Sequence, residues 1–477
     1  MAKSRISDWI VHYKKLIKYR MEFGFAYEGG FFRYVFGNPV RTIPALPAPA
    51  PFQQTAPTAY QMPATTMIPS ATVQPQALPV SAPVQTIQQH PVERAFLELD
   101  IVVRVTEDFS GQLLDVVSII PARGVRGNAI AGAATDLARI LGVQSVRVVP
   151  NGIHAGGKVG TMVLEISRCK STRRMVWFEE LIKSPEWRNT NAKLPVIIGV
   201  DVRGKIVIGD IAKFPHAIIG GQTGGGKTAW IKTMLMGLAL RLTPKHVQFI
   251  IISPKPQSYL PFANMPHLAK PVVTDMIQAA RELNDLVIEM NRRFALFTSA
   301  GCEHITEYNA KVSLDKRVPA IIYLNDEVAA MMSDLKKARE KAKEEYARAV
   351  RKERERARLE KREPDEVEEE EIPDPTESIL QLTRMARESG IHCLFCTQLP
   401  YVSSISGEAK GNCPTRIGFL TENATNSISI LSQGGAEKLM GEGDMLYSEN
   451  GGGALRRVHG SFIDNPEIKR LMGGIKP

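Results

Sequence analysis

The sequence has few cysteines and no long apolar run, and each shortage excludes a class of protein. Five cysteines in 477 residues are few and odd in number, which argues against the disulfide framework of a secreted domain. No uninterrupted apolar stretch reaches the roughly 18 residues of a membrane-spanning helix, and the first residues lack a signal-peptide pattern. We therefore expect a cytoplasmic protein, either soluble or attached to a membrane through a partner or its N-terminal segment.

Two of the cysteines, Cys393 and Cys396, form a C-x-x-C pair. The pair falls within IHCLFCTQ, an apolar run that predicts a buried strand. The sequence has no second pair at the spacing of metal ligands. The pattern therefore favours structural cysteines over a metal or redox site.

Charged residues are missing from a whole segment near the N-terminus. Between Arg41 and Glu93 there is no Asp, Glu, Lys or Arg, and Pro, Ala, Thr and Gln dominate. Such a composition cannot bury enough apolar surface to fold, so it predicts a semi-rigid linker over residues 42–91. The basic and aromatic segment before it, 1–41, has an amphipathic pattern around residues 9–21. That segment would either dock on the main body or bind a membrane or protein partner.

The remaining sequence is rich in charge, and the formal net charge of the chain is +10. This balance favours a polyanion or a membrane surface as partner without choosing between them. The densest charge lies in an insertion at 334–376, where Asp334–Ile372 holds 13 Lys and Arg residues against 14 Asp and Glu residues. Its first two thirds predict a solvated helix broken at Pro364. An exposed projection and a contact with a neighbouring subunit or partner both fit this pattern.

Two regions of alternating pattern follow the linker. Residues 92–183 mix strand and helix candidates, which predicts a small α+β domain. In residues 184–477, β-branched apolar runs alternate with amphipathic helices, which predicts an α/β fold with a mostly parallel sheet and helices on both faces. The first region holds the strand candidates AFLELDIVVRV, SVRVVP and TMVLEIS and the helix candidate GNAIAGAATDLARILGV. The second holds PVIIGVD, KIVIGD, HAIIGG, HVQFIIIS, VPAIIYLN, IHCLFCTQ and TRIGFL.

The stretch GQTGGGKT has the form G-x-x-x-x-G-K-[ST], which binds nucleotide phosphates. Its residues are Gly221, Gln222, Thr223, Gly224, Gly225, Gly226, Lys227 and Thr228. The glycines let backbone N–H groups approach phosphate oxygens closely. Lys227 would reach the β- and γ-phosphates, and the Thr228 hydroxyl would coordinate Mg²⁺. A strand pattern before the loop and a helix pattern after it agree with the motif, so the sequence predicts a site for ATP and Mg²⁺.

Polar residues at the ends of two later strands complete the predicted site. In VPAIIYLNDEVAAMM, Asp326 would hold Mg²⁺ through its water shell and Glu327 would polarise the attacking water. Gln398 ends the next strand candidate, IHCLFCTQ. An amide at this position could sense the γ-phosphate or position water.

Taken together, these motifs resemble the FtsK/SpoIIIE family of DNA translocases, in the wider HerA–FtsK group of RecA-like motors. The resemblance runs from about residue 92 to 471 and rests on several ordered blocks. They include FPHAIIGGQTGGGKT, LNDEVAAMM, ARESGIHCLFCTQLP, CPTRIGF and GGAEKLMGEGDMLYSENG. The resemblance implies that residues 92–183 are the family's small α domain and that 184–477 form a RecA-like P-loop NTPase core.

The resemblance also implies a function and further site residues. It implies a homo-oligomeric ring, expected to be a hexamer, that uses ATP hydrolysis to move double-stranded DNA without sequence specificity. Arg416 would be a finger that reaches the γ-phosphate of a neighbouring subunit. Asn426, Arg456 and Arg457 would lie on loops that face the DNA backbone.

Some positions depart from the family pattern. The loop segment TENATNSIS has no basic residue, and Ser253 stands where relatives usually have aspartate. The sequence also shows no membrane-spanning bundle and no winged-helix module. We therefore expect DNA transfer or packaging for a plasmid, a virus or another mobile element rather than chromosome segregation. Two alternatives stay open: a related ATPase that powers protein export, and a nucleotide-gated scaffold with little net translocation.

Overall fold

The computed structural model describes residues 89–111, 113–150, 158, 160–398, 405–449 and 454–475. The predicted N-terminal segment, 1–41, and nearly all of the predicted linker, 42–91, lie outside these residues. The described residues form two β-sheets, one of four strands and one of nine. Helices pack against both sheets.

The smaller sheet is antiparallel throughout, with the strand order β1-β2-β4-β3. Its strands are β1 (Val103–Ser110), β2 (Leu114–Pro121), β3 (Val146–Val149) and β4 (Met162–Ser167), and its helices are α1 (Pro91–Leu97), α2 (Gly127–Gly132) and α3 (Ala134–Leu141). Phe96, Ile119, Leu137 and Leu164 lie in its apolar core. The region has the α+β composition that was predicted, and its boundaries at 92 and 183 stay a prediction.

Two local predictions for this region are wrong in detail. The strand candidate AFLELDIVVRV begins as helix α1, because Pro91 suits the first helical turn and the His90 ring accepts a hydrogen bond from the Val92 N–H at 3.2 Å. The single predicted helix over GNAIAGAATDLARILGV is divided into α2 and α3 at Ala133. Gly132 precedes this break, and glycine weakens a helix interior.

The larger sheet has the order β6-β5-β13-β12-β11-β7-β10-β9-β8. Its strands are β5 (Pro195–Asp201), β6 (Ile206–Asp210), β7 (Ala217–Gly220), β8 (Val247–Ile252), β9 (Ala320–Asn325), β10 (Ile391–Thr397), β11 (Thr415–Phe419), β12 (Asp444–Ser448) and β13 (Arg456–His459). Strands β11, β7, β10, β9 and β8 are parallel. The remaining pairings are antiparallel. The predicted α/β fold is confirmed, and the parallel order occupies one half of a mixed sheet.

Helices cover both faces of this sheet. They are α4 (Phe178–Ile182), α5 (Pro185–Arg188), α6 (Lys227–Arg241), α7 (Met276–Ser299), α8 (Ile305–Lys311), α9 (Val328–Glu360), α10 (Pro375–Ser389), α11 (Gly407–Gly411), α12 (Ala424–Leu431) and α13 (Asn465–Met472). Leu235 of α6 shares an apolar layer with Ile219, whereas Leu283 of α7 shares the opposite layer with Ile218. Neighbouring residues of one strand thus serve the two faces, as the two-residue period of a strand requires.

The C-x-x-C pair lies on β10, and the predicted buried strand is confirmed. Cys393 contributes to one apolar layer and Cys396 to the other, because residues three apart on a strand point to opposite faces. Burial raises the pKa of both thiols. Both cysteines therefore serve the core as small apolar side chains.

The charged insertion forms one long helix with a returning segment. Helix α9 starts directly after the Asp-Glu pair and runs for 33 residues before Lys361 adopts a left-handed conformation with φ of 51°. The chain then turns back, and the Arg362 guanidinium contacts Glu353 at 2.7 Å. Farther along, Arg339 donates a hydrogen bond to the Pro373 carbonyl at 2.7 Å.

Within the described ranges, no helix combines the length and apolarity needed to cross a bilayer.

Two buried histidines at the starts of parallel strands, His216 just before β7 and His392 on β10, predict a pH dependence of stability. Burial lowers the pKa of His216 to about 3 and that of His392 to about 4. The Nδ1 atom of His216 accepts the backbone N–H of Cys393 at 3.1 Å, a hydrogen bond that protonation would break. An unfolded histidine titrates near 6.5, so only the unfolded chain gains these protons between about pH 6.5 and 4. The free energy of unfolding should therefore fall over this interval, by at most about 1.4 kcal/mol per pH unit for each histidine.

Urea denaturation at pH 7 and pH 5 would measure this effect. In His392→Gln, which keeps a side-chain donor but does not titrate, the loss of stability on acidification should be smaller than in the wild type. Equal losses in the two proteins would contradict the assignment to His392.

Candidate nucleotide site

The predicted nucleotide loop lies between the end of β7 and the start of α6. The loop ends at Gly226, whose φ of 109° is a left-handed conformation that favours glycine, and α6 begins at Lys227. The N-terminus of a long helix at this point provides free N–H groups and a positive dipole end. The loop is tied to neighbouring strands by hydrogen bonds from Gly221 N–H to the Thr397 carbonyl (3.2 Å) and from Gln222 N–H to the Leu420 carbonyl (2.8 Å).

The Lys227 side chain is buried among the groups that follow β9. Only 4% of its surface is exposed, and its Nζ donates to the backbone carbonyl of Asp326 at 2.8 Å. The same Nζ lies 3.6 Å from Oδ1 of Asp326 and 3.8 Å from Oε2 of Glu327. A buried ammonium needs such compensation, because its removal from water is costly. The fold thus brings together three residues that were predicted separately.

The Asp326 carboxylate is held by the side chain of Ser253, which follows the neighbouring edge strand β8. Its Oδ2 accepts a hydrogen bond from the Ser253 hydroxyl at 3.2 Å, and the Ser253 oxygen in turn accepts the Lys255 N–H at 3.1 Å. Burial raises the pKa of the nearby Tyr259, and the negative charge of Asp326 raises it further. Ser253 therefore contacts Asp326 without adding a second negative charge.

The residues predicted to hold Mg²⁺ fit that ion. Magnesium prefers oxygen ligands, and Asp326 and Thr228 provide a carboxylate and a hydroxyl. Oδ1 of Asp326 is buried and has no hydrogen-bond partner, so it retains the capacity to accept a metal-bound water. Thr228 lies partly exposed in the first turn of α6. Mg²⁺ bound here with a nucleotide would neutralise phosphate charge.

Glu327 is oriented by the end of β10. Its Oε1 accepts a hydrogen bond from the Thr397 hydroxyl at 2.8 Å, and its Oε2 accepts the backbone N–H of Gln398 at 2.9 Å. The side chain of Gln398 points to the nucleotide loop, where its Oε1 accepts the Thr223 hydroxyl at 2.9 Å. Gln398 therefore links Glu327 to the loop. Thr397 was assigned no role from the sequence, although its place at the end of a strand beside the Asp-Glu pair was a signal for one.

Arg416 is buried and contacts backbone carbonyls of its own chain. It is 5% exposed on β11, and its guanidinium donates to the carbonyls of Ile430 (3.3 Å) and Lys410. Burial lowers its pKa. The expected role of Arg416 at the site of a neighbouring subunit stays a prediction, and it would require the side chain to leave these carbonyls.

The structure contradicts one predicted DNA contact. Arg457 is 3% exposed and pairs with Asp444 and Glu165, so its charge is neutralised inside the protein. Arg456, its neighbour on β13, faces the opposite way and is exposed. Asn426 is partly exposed in the first turn of α12, and DNA contacts by Asn426 and Arg456 stay predictions. The glycines at 451–453 lie outside the described residues.

The sequence around this site is similar to that of a known protein family and of curated relatives. Residues 178–402 match the model of the FtsK/SpoIIIE family. The chain is 33% identical over 422 residues to DNA translocase FtsK of Haemophilus ducreyi, an alignment that covers 82% of this chain and 40% of the relative. It is 34% identical over 399 residues to DNA translocase FtsK of Pseudomonas aeruginosa, with 79% and 44% covered. The chain thus spans less than half the length of these relatives.

Solved structures show weaker likeness. The pCW3 conjugation coupling protein TcpA, in its monomer form with ATPγS, is 18% identical, with a TM-score of 0.49 and coverage of 81% of this chain and 99% of that chain. The cytoplasmic domain of the Thermomonospora curvata type VII secretion ATPase EccC is 19% identical, with a TM-score of 0.46 and coverage of 59% and 31%.

The hydrogen bond from Thr397 to Glu327 can be tested by substitution. If Glu327 orients the water that attacks ATP, Thr397→Val should lower kcat roughly fivefold, since an orienting bond worth on the order of 1 kcal/mol is lost. The affinity for ATP should change little, because Thr397 contacts Glu327 rather than the loop side chains. Steady-state ATP hydrolysis would measure both quantities. Thr397→Ser keeps the hydroxyl and should retain most of the rate, and an equal loss in both variants would contradict the assigned role.

Proposed function

Because the chain belongs to the FtsK/SpoIIIE family, we propose that it is an ATP-driven motor that translocates double-stranded DNA without sequence specificity. The observation that carries the ATPase part is the convergence of Lys227, Asp326 and Glu327 at one sheet edge. The DNA part is supported by the relatives, which are described as DNA translocases. The net charge of +10 agrees with a polyanionic substrate.

The geometry supports a direct mechanism for ATP hydrolysis. Phosphoryl transfer depends mainly on positioning and charge stabilisation. The loop backbone and Lys227 would bind the β- and γ-phosphates, while Thr228 and Asp326 would hold Mg²⁺. Glu327, fixed by Thr397 and Gln398, would accept a hydrogen bond from the attacking water and direct it to the γ-phosphorus.

Gln398 has the contacts needed to report the state of the nucleotide. Its backbone N–H binds Glu327, and its side chain binds Thr223 of the loop. A γ-phosphate in the loop would compete for the Thr223 hydroxyl, so binding of ATP would release or reorient the Gln398 amide. We propose that this exchange couples nucleotide occupancy to the end of β10.

We further propose that the motor works as a homo-oligomeric ring, expected to be a hexamer, in DNA transfer or packaging by a mobile element, plasmid or virus. Arg416 would contribute to a neighbour's site in such a ring.

The affinity for DNA is expected to be modest, because Arg457 is buried and the segment 421–429 has no basic residue. Arg456 then remains as the charged member of the predicted DNA-contact set.

ATP hydrolysis by the purified full-length chain, with and without long double-stranded DNA, tests the proposed function. Duplex DNA should raise the rate, and the effect should fade as salt is increased, because phosphate contacts release counterions. Lys227→Ala should abolish hydrolysis, whereas Glu327→Gln should bind ATP without turnover.

Hydrolysis assays in which other polymers replace duplex DNA give the outcomes that would contradict this proposal. Stimulation by an unstructured polypeptide, with no response to duplex DNA, would favour a protein cargo. Slow hydrolysis that is insensitive to every polymer would favour the nucleotide-gated scaffold. Normal turnover by Glu327→Gln would overturn the assignment of the water-positioning residue.

The exposed Arg456 and the buried Arg457 allow a sharper test of DNA contact. Arg456→Gln should weaken duplex binding on all sequences alike and lower the slope of log affinity against log salt by about 1. Its fold should be unaffected, since the side chain is exposed. Fluorescence anisotropy with duplex DNA at several salt concentrations would measure the slope. An unchanged slope would exclude Arg456 from the DNA contact.

A further inference from the structure

A tight turn after Leu439 lies directly against the nucleotide loop. Gly441, Glu442 and Gly443 in this turn all have positive φ, of 78°, 55° and 102°. The Gly443 N–H donates to the Gly225 carbonyl at 2.9 Å, and the Glu442 N–H donates to the Gly224 carbonyl at 3.3 Å. These bonds connect the turn to the part of the loop that would surround the phosphates.

The contact between turn and loop leaves no spare space. A Cβ atom on Gly226 would lie 2.4 Å from the backbone nitrogen of Gly443. A side chain at this position is therefore excluded by backbone that cannot swing away. The position of the turn consequently sets how far the end of the loop can move in this direction.

Asp444 holds the turn in place. Its Oδ2 accepts the Met440 N–H at 2.8 Å, which closes the turn from the inside. Its two oxygens also accept a pair of hydrogen bonds from Arg457, Nε to Oδ1 at 3.0 Å and Nη2 to Oδ2 at 2.6 Å. Such a bidentate pair fixes direction as well as distance. Burial works against the ionised carboxylate, but the charge and hydrogen bonds of Arg457, together with His459 and the Met440 N–H, outweigh it and lower the pKa of Asp444.

Arg457 has a third contact, on the four-stranded sheet. Its Nη1 donates to Oε2 of Glu165 on β4 at 3.2 Å. Glu165 also accepts hydrogen bonds from Arg147 on β3, at 3.0 and 3.1 Å. The side chains of Arg457, Glu165 and Asp444 are at most 2% exposed. In this cluster, the positive charges of two arginines thus balance the negative charges of two carboxylates. Removal of one of these charges would leave another without compensation.

We propose that Arg457 is a positioning residue for the nucleotide loop. It joins Glu165 of the four-stranded sheet to Asp444, and through the turn at 440–444 it holds Gly224, Gly225 and Gly226 in the conformation that binds phosphate. This inference rests on the proposed ATP-binding function. It gives the four-stranded sheet a direct part in nucleotide affinity.

The test separates this role from simple stabilisation of the fold. Glu165→Gln keeps the shape of the side chain but removes the charge that joins the sheet to Arg457. In ATP hydrolysis by the full-length chain, its KM for ATP should rise on the order of fivefold, with kcat within about twofold of wild type. Arg457→Lys keeps the charge but loses the bidentate geometry, and it should shift KM in the same direction.

Arg147→Gln is the matched control, because it removes the other partner of Glu165 and leaves the link to Arg457 intact. Its KM for ATP should equal that of the wild type. An unchanged KM in Glu165→Gln, even with a lower thermal unfolding midpoint, would overturn the proposal. Equal increases in Glu165→Gln and Arg147→Gln would also overturn it, since the effect would not follow the link.

A measurement on the wild type covers the case in which these variants do not fold. Hydrogen exchange with Mg²⁺ and ATPγS should slow at residues 440–444 and at β4, and neither change should occur in Lys227→Ala. Slower hydrogen exchange at the nucleotide loop without slower exchange at β4 would overturn the proposed link between β4 and the loop. The proposed function would still stand. No binding of ATPγS by the wild type would overturn both.

Discussion

The buried ammonium of Lys227 determines how the nucleotide site is assembled. Lys227 begins α6, and its charge is balanced by groups at the end of β9. Strands β7 and β9 are not neighbours in the sheet, because β10 lies between them. The end of β10 therefore meets both sides of the site, with Thr397 and Gln398 bound to Glu327 and Gln398 also bound to the loop.

The nucleotide loop is held from a second direction by the antiparallel half of the sheet. Strands β12 and β13 bring the turn at 440–444 against the loop glycines, and Asp444 and Arg457 keep that turn closed. The parallel strands thus provide the reactive side chains, while the antiparallel strands limit the path of the backbone that binds phosphate. Glu165 extends this support to the four-stranded sheet.

The residues of the site that could be predicted are those that belong to short sequence motifs. Lys227 follows a glycine loop, and Asp326 and Glu327 follow a buried strand, so local pattern was enough to identify them. In a parallel sheet the carboxyl ends of the strands share one edge, so their convergence was also predictable. Arg456 and Arg457 were not separable in this way. Adjacent strand residues face opposite sides, and sequence alone does not say which side is covered.

By itself, the sequence determined the α/β class of the larger region, the nucleotide loop, the Asp-Glu pair and the resemblance to FtsK/SpoIIIE motors. These features are encoded locally, in apolar runs and motifs whose chemistry needs no distant partner. Only the tertiary structure decided the antiparallel half of the sheet, the support of Glu327 by Thr397, and the burial of Arg416 and Arg457. Each depends on which distant groups meet, because an arginine is buried only where carbonyls or carboxylates from elsewhere in the chain compensate its charge.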